Sequence, residues 1–170
     1  MSTAGLGQGN ASPVAKFNVY KDAEAYKVML DSGIDIAIVG FDICETDEAL
    51  FSGGQLAQME QGNDALRFVA RSNKKFLEHR LQTQGLNSVD SCDAILMGCL
   101  IWPDFIVDGT DCKASCITHD SEAFGQVIFY RTEMAYDSMP DIGHANTRLI
   151  TALNLDHYYE NVVALFSGDR

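Results

Sequence analysis

The sequence predicts an α/β fold with a parallel sheet, surrounding helices and an added β region. Three observations carry this. Asp35-Ile36-Ala37-Ile38-Val39-Gly40 is a short β-branched run of the kind that is buried on both faces in a parallel sheet. Helical patterns with matching start and stop residues flank it. From Phe105 onward the pattern turns to strands.

Taken in order, Pro13 to Tyr20 reads as a strand or extended loop. Asp22 is a good N-cap for a helix from Ala23 to Ser32, with Ala25, Val28 and Met29 on one face and Gly33 as the stop. Strand, helix and the Asp35–Gly40 strand then make a βαβ unit. Ser52-Gly53-Gly54 opens a short helix through Leu56 and Met59, closed at Gly62. Asn63 caps a long amphipathic helix that turns Leu66, Val69, Ala70, Phe76 (or Leu77) and Leu81 inward and ends at Gly85. Cys92 to Ile101 is apolar on every side, which predicts a fully buried helix, stopped by Pro103. Strands follow at Gln126 to Arg131 and Thr147 to Asn154, and a helix from Asp156 to Ser167 closes the chain. No repeat or Pro/Ser-rich linker divides this order, so residues 1–170 read as a single domain.

Charge narrows the function. A net charge of −12 argues against nucleic acid, whose binding rests on Lys and Arg neutralising phosphates, and against an anionic membrane surface. No apolar run is long enough to span a bilayer. The five cysteines, Cys44, Cys92, Cys99, Cys112 and Cys116, follow no basic-then-apolar leader and read as free thiols of a cytoplasmic protein. Cys112 and Cys116 have a spacing that occurs in metal sites, but no second pair completes four ligands. His79, His119, His144 and His157 are scattered and show no catalytic signature.

The chemistry concentrates near the start. Gly9-Asn10-Ala11-Ser12-Pro13-Val14-Ala15-Lys16-Phe17-Asn18-Val19-Tyr20 is followed at once by Asp22-Ala23-Glu24-Ala25. An asparagine carries both donors and an acceptor, so the pair Asn10 and Asn18 can grip sugar hydroxyls. This segment resembles the ribose-side motif of the inosine-uridine nucleoside hydrolases, G-N-x-S/T-P-x-A-E-F-N. Further stretches match in order: Val39-Gly40-Phe41-Asp42-Ile43-Cys44 resembles V-G-L-D-V-T, Ser91-Cys92-Asp93-Ala94 resembles the H-D segment, and Trp102-Pro103-Asp104-Phe105 resembles the D-P-E-L-F turn. The tail from Thr147 through Asp156 to Phe166 resembles the family's closing segment, and Met1-Ser2-Thr3-Ala4 its internal M-G-G-A turn.

The resemblance implies a partial nucleoside hydrolase-like fold and hydrolysis of the N-ribosidic bond of purine or pyrimidine nucleosides to ribose and base. It implies that Asn10 and Asn18 contact the ribose and that Asp93 ligates calcium. Lys16 stands where the family has Glu, and an ammonium offers no acceptor. Cys92 stands where the family has the histidine associated with leaving-group protonation. Asn10, Asn18 and Asp93 are expected at one end of the sheet, where open α/β folds bind ligands. The resemblance further implies that the chain starts at an internal methionine, without the family's D-x-D-x-x-x-D-D cluster. Asp108-Gly109-Thr110-Asp111 has too few carboxylates to replace it. One carboxylate does not hold calcium, which takes about six to eight oxygens. Activity is therefore expected only if that aspartate segment is supplied. The alternative is a non-catalytic binding or interaction protein that retains the fold. An exposed sheet edge would call for a homo-oligomer or a partner to cover it.

Overall fold

The computed structural model describes residues 4–102, 104–119, 121–131 and 143–168. Met1 to Thr3 of the M-G-G-A-like turn, and Pro103 with the helix stop assigned to it, lie outside the described residues. In chain order the elements are α1 (Phe17–Lys21), α2 (Ala23–Asp31), β1 (Ile36–Val39), α3 (Phe41–Cys44), a 3₁₀ turn (Asp47–Ala49), β2 (Phe51–Ser52), α4 (Gly53–Glu60), α5 (Asp64–Gln84) and β3 (Ser88–Val89). Then come α6 (Cys92–Ile101), β4 (Ile106–Cys116), β5 (Val127–Arg131), β6 (Thr147–Leu153) and α7 (Tyr158–Ser167). They form two compact units, Met1–Ile43 with Leu96–Leu153, and Cys44–Ile95 with Asn154–Arg170.

The first unit is built on a four-stranded sheet in the order β1-β6-β4-β5. The α/β reading holds, but among the described residues parallel pairing in this sheet is confined to β1 with β6, and the other two pairings are antiparallel. β1 stands at an edge among the described residues. Its last two residues, Ile38 and Val39, are both buried, so both faces are covered at that end. In β4, Cys112, Ala114 and Cys116 alternate inward, as the two-residue period of a strand dictates. They pack with Val19, Ala23, Leu30, Ile38 and Leu149 into one apolar core. The Cys112/Cys116 spacing is therefore the inner face of a strand.

Three expectations for this unit are corrected. Phe17–Lys21 is helical, not extended, because the Asn10 side chain and the preceding loop supply a helix start that no local pattern announces. Without a strand there is no βαβ unit, and the parallel partner of β1 is the distant β6. In α2 the Asp22 cap forms as expected, its carboxylate accepting from the Ala25 N–H at 2.9 Å. The inward stripe, however, is Ala23, Tyr26, Met29 and Leu30, so Met29 packs against the core as expected while Ala25 is exposed and Val28 is 71% exposed. Residues 23, 26 and 30 follow the helical repeat as well as 25, 28 and 29 do, and the sheet beneath decides which of them are covered.

The second unit is mainly helical, and its ends follow local rules. Ser52 and Gln55 form a reciprocal capping box at α4. The Asn63 side chain accepts from Leu66 N–H at 3.0 Å, and Gly85 ends α5 in the left-handed region at φ 71°. Leu56, Met59, Leu66 and Ala70 are buried as expected. Of the two alternatives Phe76 and Leu77, Leu77 is the half-buried one, Leu81 is exposed, and the buried residue of that end is Arg80, whose guanidinium meets Asp90 at 3.0 Å. α7 starts at Tyr158, two residues later than Asp156, since His157 at φ 60° cannot continue a right-handed helix. Tyr158 is buried and stacks on Phe51 with ring centroids 5.4 Å apart.

The expected full burial of α6 is also corrected. Ile95 is buried, but Met97, Leu100 and Ile101 are 50%, 78% and 37% exposed. All-round apolarity shows that a helix tolerates burial on every side, not that neighbours exist on every side. A Cβ on Gly98 would stand 2.7 Å from Phe105 and 2.8 Å from Trp102, so the covered face sits tight against these rings.

Candidate functional site

Residues 9–15 form a tight loop around one carbonyl. The N–H groups of Asn10, Ala11 and Ser12 all donate to Ala15 O, at 3.1, 3.1 and 3.3 Å, while Gly9 N–H donates to Pro13 O. The Ser12 hydroxyl accepts from Ala15 N–H at 3.1 Å. Asn10 Oδ1 then accepts from Phe17 N–H at 2.7 Å, satisfying one of the orphan donors that every helix start presents. The loop is thereby fixed on α1, with Asn18 exposed on that same helix. With its oxygen engaged, Asn10 retains its amide N–H groups as donors toward a hydroxyl.

Lys16 turns inward. It is only 6% exposed, and its ammonium lies 4.9 Å from the centre of the Phe41 ring, a cation–π arrangement. Beside Phe41, Asp42 was not singled out from the sequence. Its Oδ1 is buried without a hydrogen-bond partner. A Cβ on Gly5 or Gly40 would stand 1.8 or 2.3 Å from that oxygen, so glycine is required at both positions. The Gly-Phe-Asp sequence was the available signal, but a carboxylate sealed by distant glycine backbones has no local signature.

In the second unit, Asp93 sits exposed in the first turn of α6, where the helix dipole favours a negative charge. Cys92 is half-buried. Its thiol donates to Asp90 Oδ1 at 3.7 Å. The neighbouring Cys44 thiol, burial and the Asp90 charge all push its pKa up, so it stays protonated near neutrality. Asp90 is held in turn by Arg80, which is 7% exposed. Ser91 reaches the Tyr158 hydroxyl at 3.1 Å. Asp90, two residues before Cys92, was passed over in the sequence, and Arg80 was missed because it reaches Asp90 from α5. Asn10, Lys16 and Asn18 thus belong to the first unit, Cys92 and Asp93 to the second.

A calcium ion, as the resemblance implies, was tested against these residues. Among the described residues no group of three or more His, Cys, Asp or Glu is gathered to hold a metal. Asp42 Oδ1 is closed off by backbone, and Asp108 and Asp111 are engaged with Thr151 and Arg148. The described residues do not make a calcium site.

The family model described as inosine-uridine preferring nucleoside hydrolase matches residues 1–160. The chain belongs to this family. The pyrimidine-specific ribonucleoside hydrolase RihB of Escherichia coli is 32% identical over 101 residues, 59% of this chain and 32% of that protein. A putative pyrimidine-specific RihB of Shigella boydii is 32% identical over the same length, 41% of that protein. Among solved structures, a plant nucleoside hydrolase superposes with a TM-score of 0.86 at 15% identity, over 98% of this chain and 52% of that one. A purine-preferring ribonucleoside hydrolase from Gardnerella vaginalis gives 0.81 at 16% identity, over 99% and 51%. At such identities the likeness establishes the fold. The chain spans about half the length of these solved relatives, and the curated matches cover less of theirs. Among the described residues no helix is long and apolar enough to cross a membrane.

Proposed function

We propose that this chain supplies the ribose-side part of a nucleoside hydrolase, cleaving the N-ribosidic bond of purine or pyrimidine nucleosides when an aspartate-bearing segment is present with it. The observation that carries this reading is the loop at residues 9–15, fixed on α1 by Asn10 while leaving Asn18 exposed. Toward ribose hydroxyls Asn10 donates through its amide N–H groups, and Asn18 donates through its amide N–H groups or accepts through Oδ1. Asp93 contributes one oxygen to a metal whose remaining ligands come from the aspartate segment. Cys92, as a protonated thiol with a raised pKa, is a weak acid for the leaving base. Buried Lys16 holds the loop over Phe41 and does not replace the family's glutamate.

The edge strand β1 and the exposed Met97, Leu100 and Ile101 support a homo-oligomeric or partner contact that covers them. A cytoplasmic location fits the free cysteines. The second reading, a non-catalytic binding protein that keeps the fold, is favoured by the inward Lys16 and by the engagement of Cys92 with Asp90.

The test is ribose release from inosine and uridine by residues 1–170, alone and mixed with the aspartate-bearing half of a family member. The hydrolase reading expects none alone and measurable release in the mixture, abolished by Asp93→Ala. Nucleoside binding by the chain with no release in a mixture that demonstrably forms a complex would establish the second reading.

A further inference from the structure

Two basic side chains are buried among the described residues, and they are held differently. Arg80, in the second unit, meets the Asp90 carboxylate at 3.0 Å. Lys16, in the first, is 6% exposed, and its ammonium pairs with no carboxylate or hydrogen-bond acceptor among the described residues. The Phe41 ring lies under it, 4.9 Å from Nζ to the ring centre. Asp42, the residue after Phe41, does not serve as its partner: the buried Oδ1 lies against the backbones of Gly5 and Gly40 and makes no hydrogen bond. Nζ is not among the closed-off polar atoms without a partner, so the tip keeps access to solvent while the stem is packed. A charge held this way is fixed in place with an open side, and an anion binding there orders no further long side chain.

We propose that the ligand of this segment is a phosphorylated ribose, its hydroxyls taken by Asn10 and Asn18 and its phosphate monoester by Lys16. The inference rests on the ribose-side reading of the loop and deepens it from an uncharged sugar to an anionic one. Asn10 and Lys16 are tied together by the backbone, because Asn10 Oδ1 accepts from the N–H of Phe17, the residue after Lys16, at 2.7 Å. Asn18 stands two residues on, exposed on α1. An ammonium carries three donors and no acceptor, and its bond to a phosphate oxygen is charge-assisted, about twice as strong as one to a neutral hydroxyl. A glutamate at this position, as in the family motif, would repel a phosphate; the reversed charge replaces that repulsion with attraction. The net charge of −12 disfavours anions in general, so holding one requires a local cation, and Lys16 lies inside the motif itself.

The experiment is calorimetric titration of the full 170-residue chain near neutral pH with ribose, ribose 5-phosphate, inosine 5′-monophosphate and inorganic phosphate. Ribose 5-phosphate should bind about tenfold tighter than ribose and than inorganic phosphate. Lys16→Gln should return ribose 5-phosphate to the affinity of ribose while leaving ribose binding in place. Inosine 5′-monophosphate binding at least as tightly as ribose 5-phosphate marks a nucleotide as the ligand, and weaker binding marks the free sugar phosphate. Equal affinity for ribose and ribose 5-phosphate overturns the proposal and leaves the ribose-side reading standing, whereas no binding of either removes both. Inorganic phosphate binding as tightly as the ester overturns it too, by showing an anion site without a sugar. So does a phosphate gain that survives Lys16→Gln. The comparison of ligands on the unsubstituted chain decides the matter even if the variant fails to fold.

Discussion

The loop at residues 9–22 lies in the first unit and the segment at residues 88–93 in the second, and the two are held in different ways. In the loop, Ser12 and Asp22 each satisfy a backbone N–H three residues away and Asn10 one seven residues away, so the conformation is fixed by side-chain bonds to the loop's own backbone. In the second segment, Asp90 and Ser91 bind side chains from other elements: Arg80 of α5 and Tyr158 of α7. The loop should therefore lose little when one polar atom is removed. The segment holds a charge in a half-buried setting, where losing the partner leaves that charge uncompensated.

The largest expected effect tests that difference directly. Arg80→Ala should destabilise the chain by about 3 kcal/mol, because it strands Asp90. Arg80→Met combined with Asp90→Asn should recover much of the loss. Urea unfolding measures both, and a single-variant loss below about 0.5 kcal/mol, the surface value, would remove the contrast.

Next is the pH dependence of the first unit's core. Burial is the main cause that lifts the Cys116 thiol from 9.0 to about 11. The folded state then holds this proton more tightly than the unfolded state. The associated stability is complete below about pH 9 and is lost as pH rises toward 11. The wild-type chain should lose on the order of 1–2 kcal/mol more than Cys116→Ala across that window. Parallel curves for the two proteins would show that the thiol titrates alike in both states.

Asn10→Ala should cost about 1 kcal/mol, the usual value of a lost helix-start bond, whereas Asn10→Asp keeps the acceptor for Phe17 N–H and should be nearly neutral. Equal losses from both would mean that the loop is not fixed through Oδ1. Smallest of all, Leu100→Ser at a 78% exposed position should change stability by less than about 0.5 kcal/mol. A large loss in the chain by itself would show that this helix face is already covered by a second copy.

The same contrast explains what the sequence disclosed. The caps at Asp22, Ser52, Asn63 and Gly85 were legible because each is a contact within a few residues. The Asp35–Gly40 strand was legible from its β-branched run, observed as Ile36–Val39. Helix α1 was not, since its start depends on a side chain seven residues away. Nor was the inward Arg80, because an arginine faces inward only where a carboxylate from another element meets it. Exposed α6 residues illustrate the same point from the apolar side: pattern reports what a face tolerates, not what covers it. At the candidate site, residue types and family were readable, while the engagement of Asn10, Lys16 and Cys92 depended on folded geometry.

On the proposed reading the chain carries the ribose-side scaffold, and among the described residues no calcium site is gathered. The most direct measurement is the thermal melting of this chain across a calcium titration. A ligand that binds only the folded state stabilises it by about 2.7 kcal/mol at a hundredfold excess over its Kd, a shift of several degrees for a chain of this size. The account predicts an unchanged Tm from chelator to millimolar calcium, in the wild type and in Asp93→Ala alike. A calcium-dependent rise in Tm that disappears in Asp93→Ala would contradict it, by showing that these residues assemble a metal site by themselves.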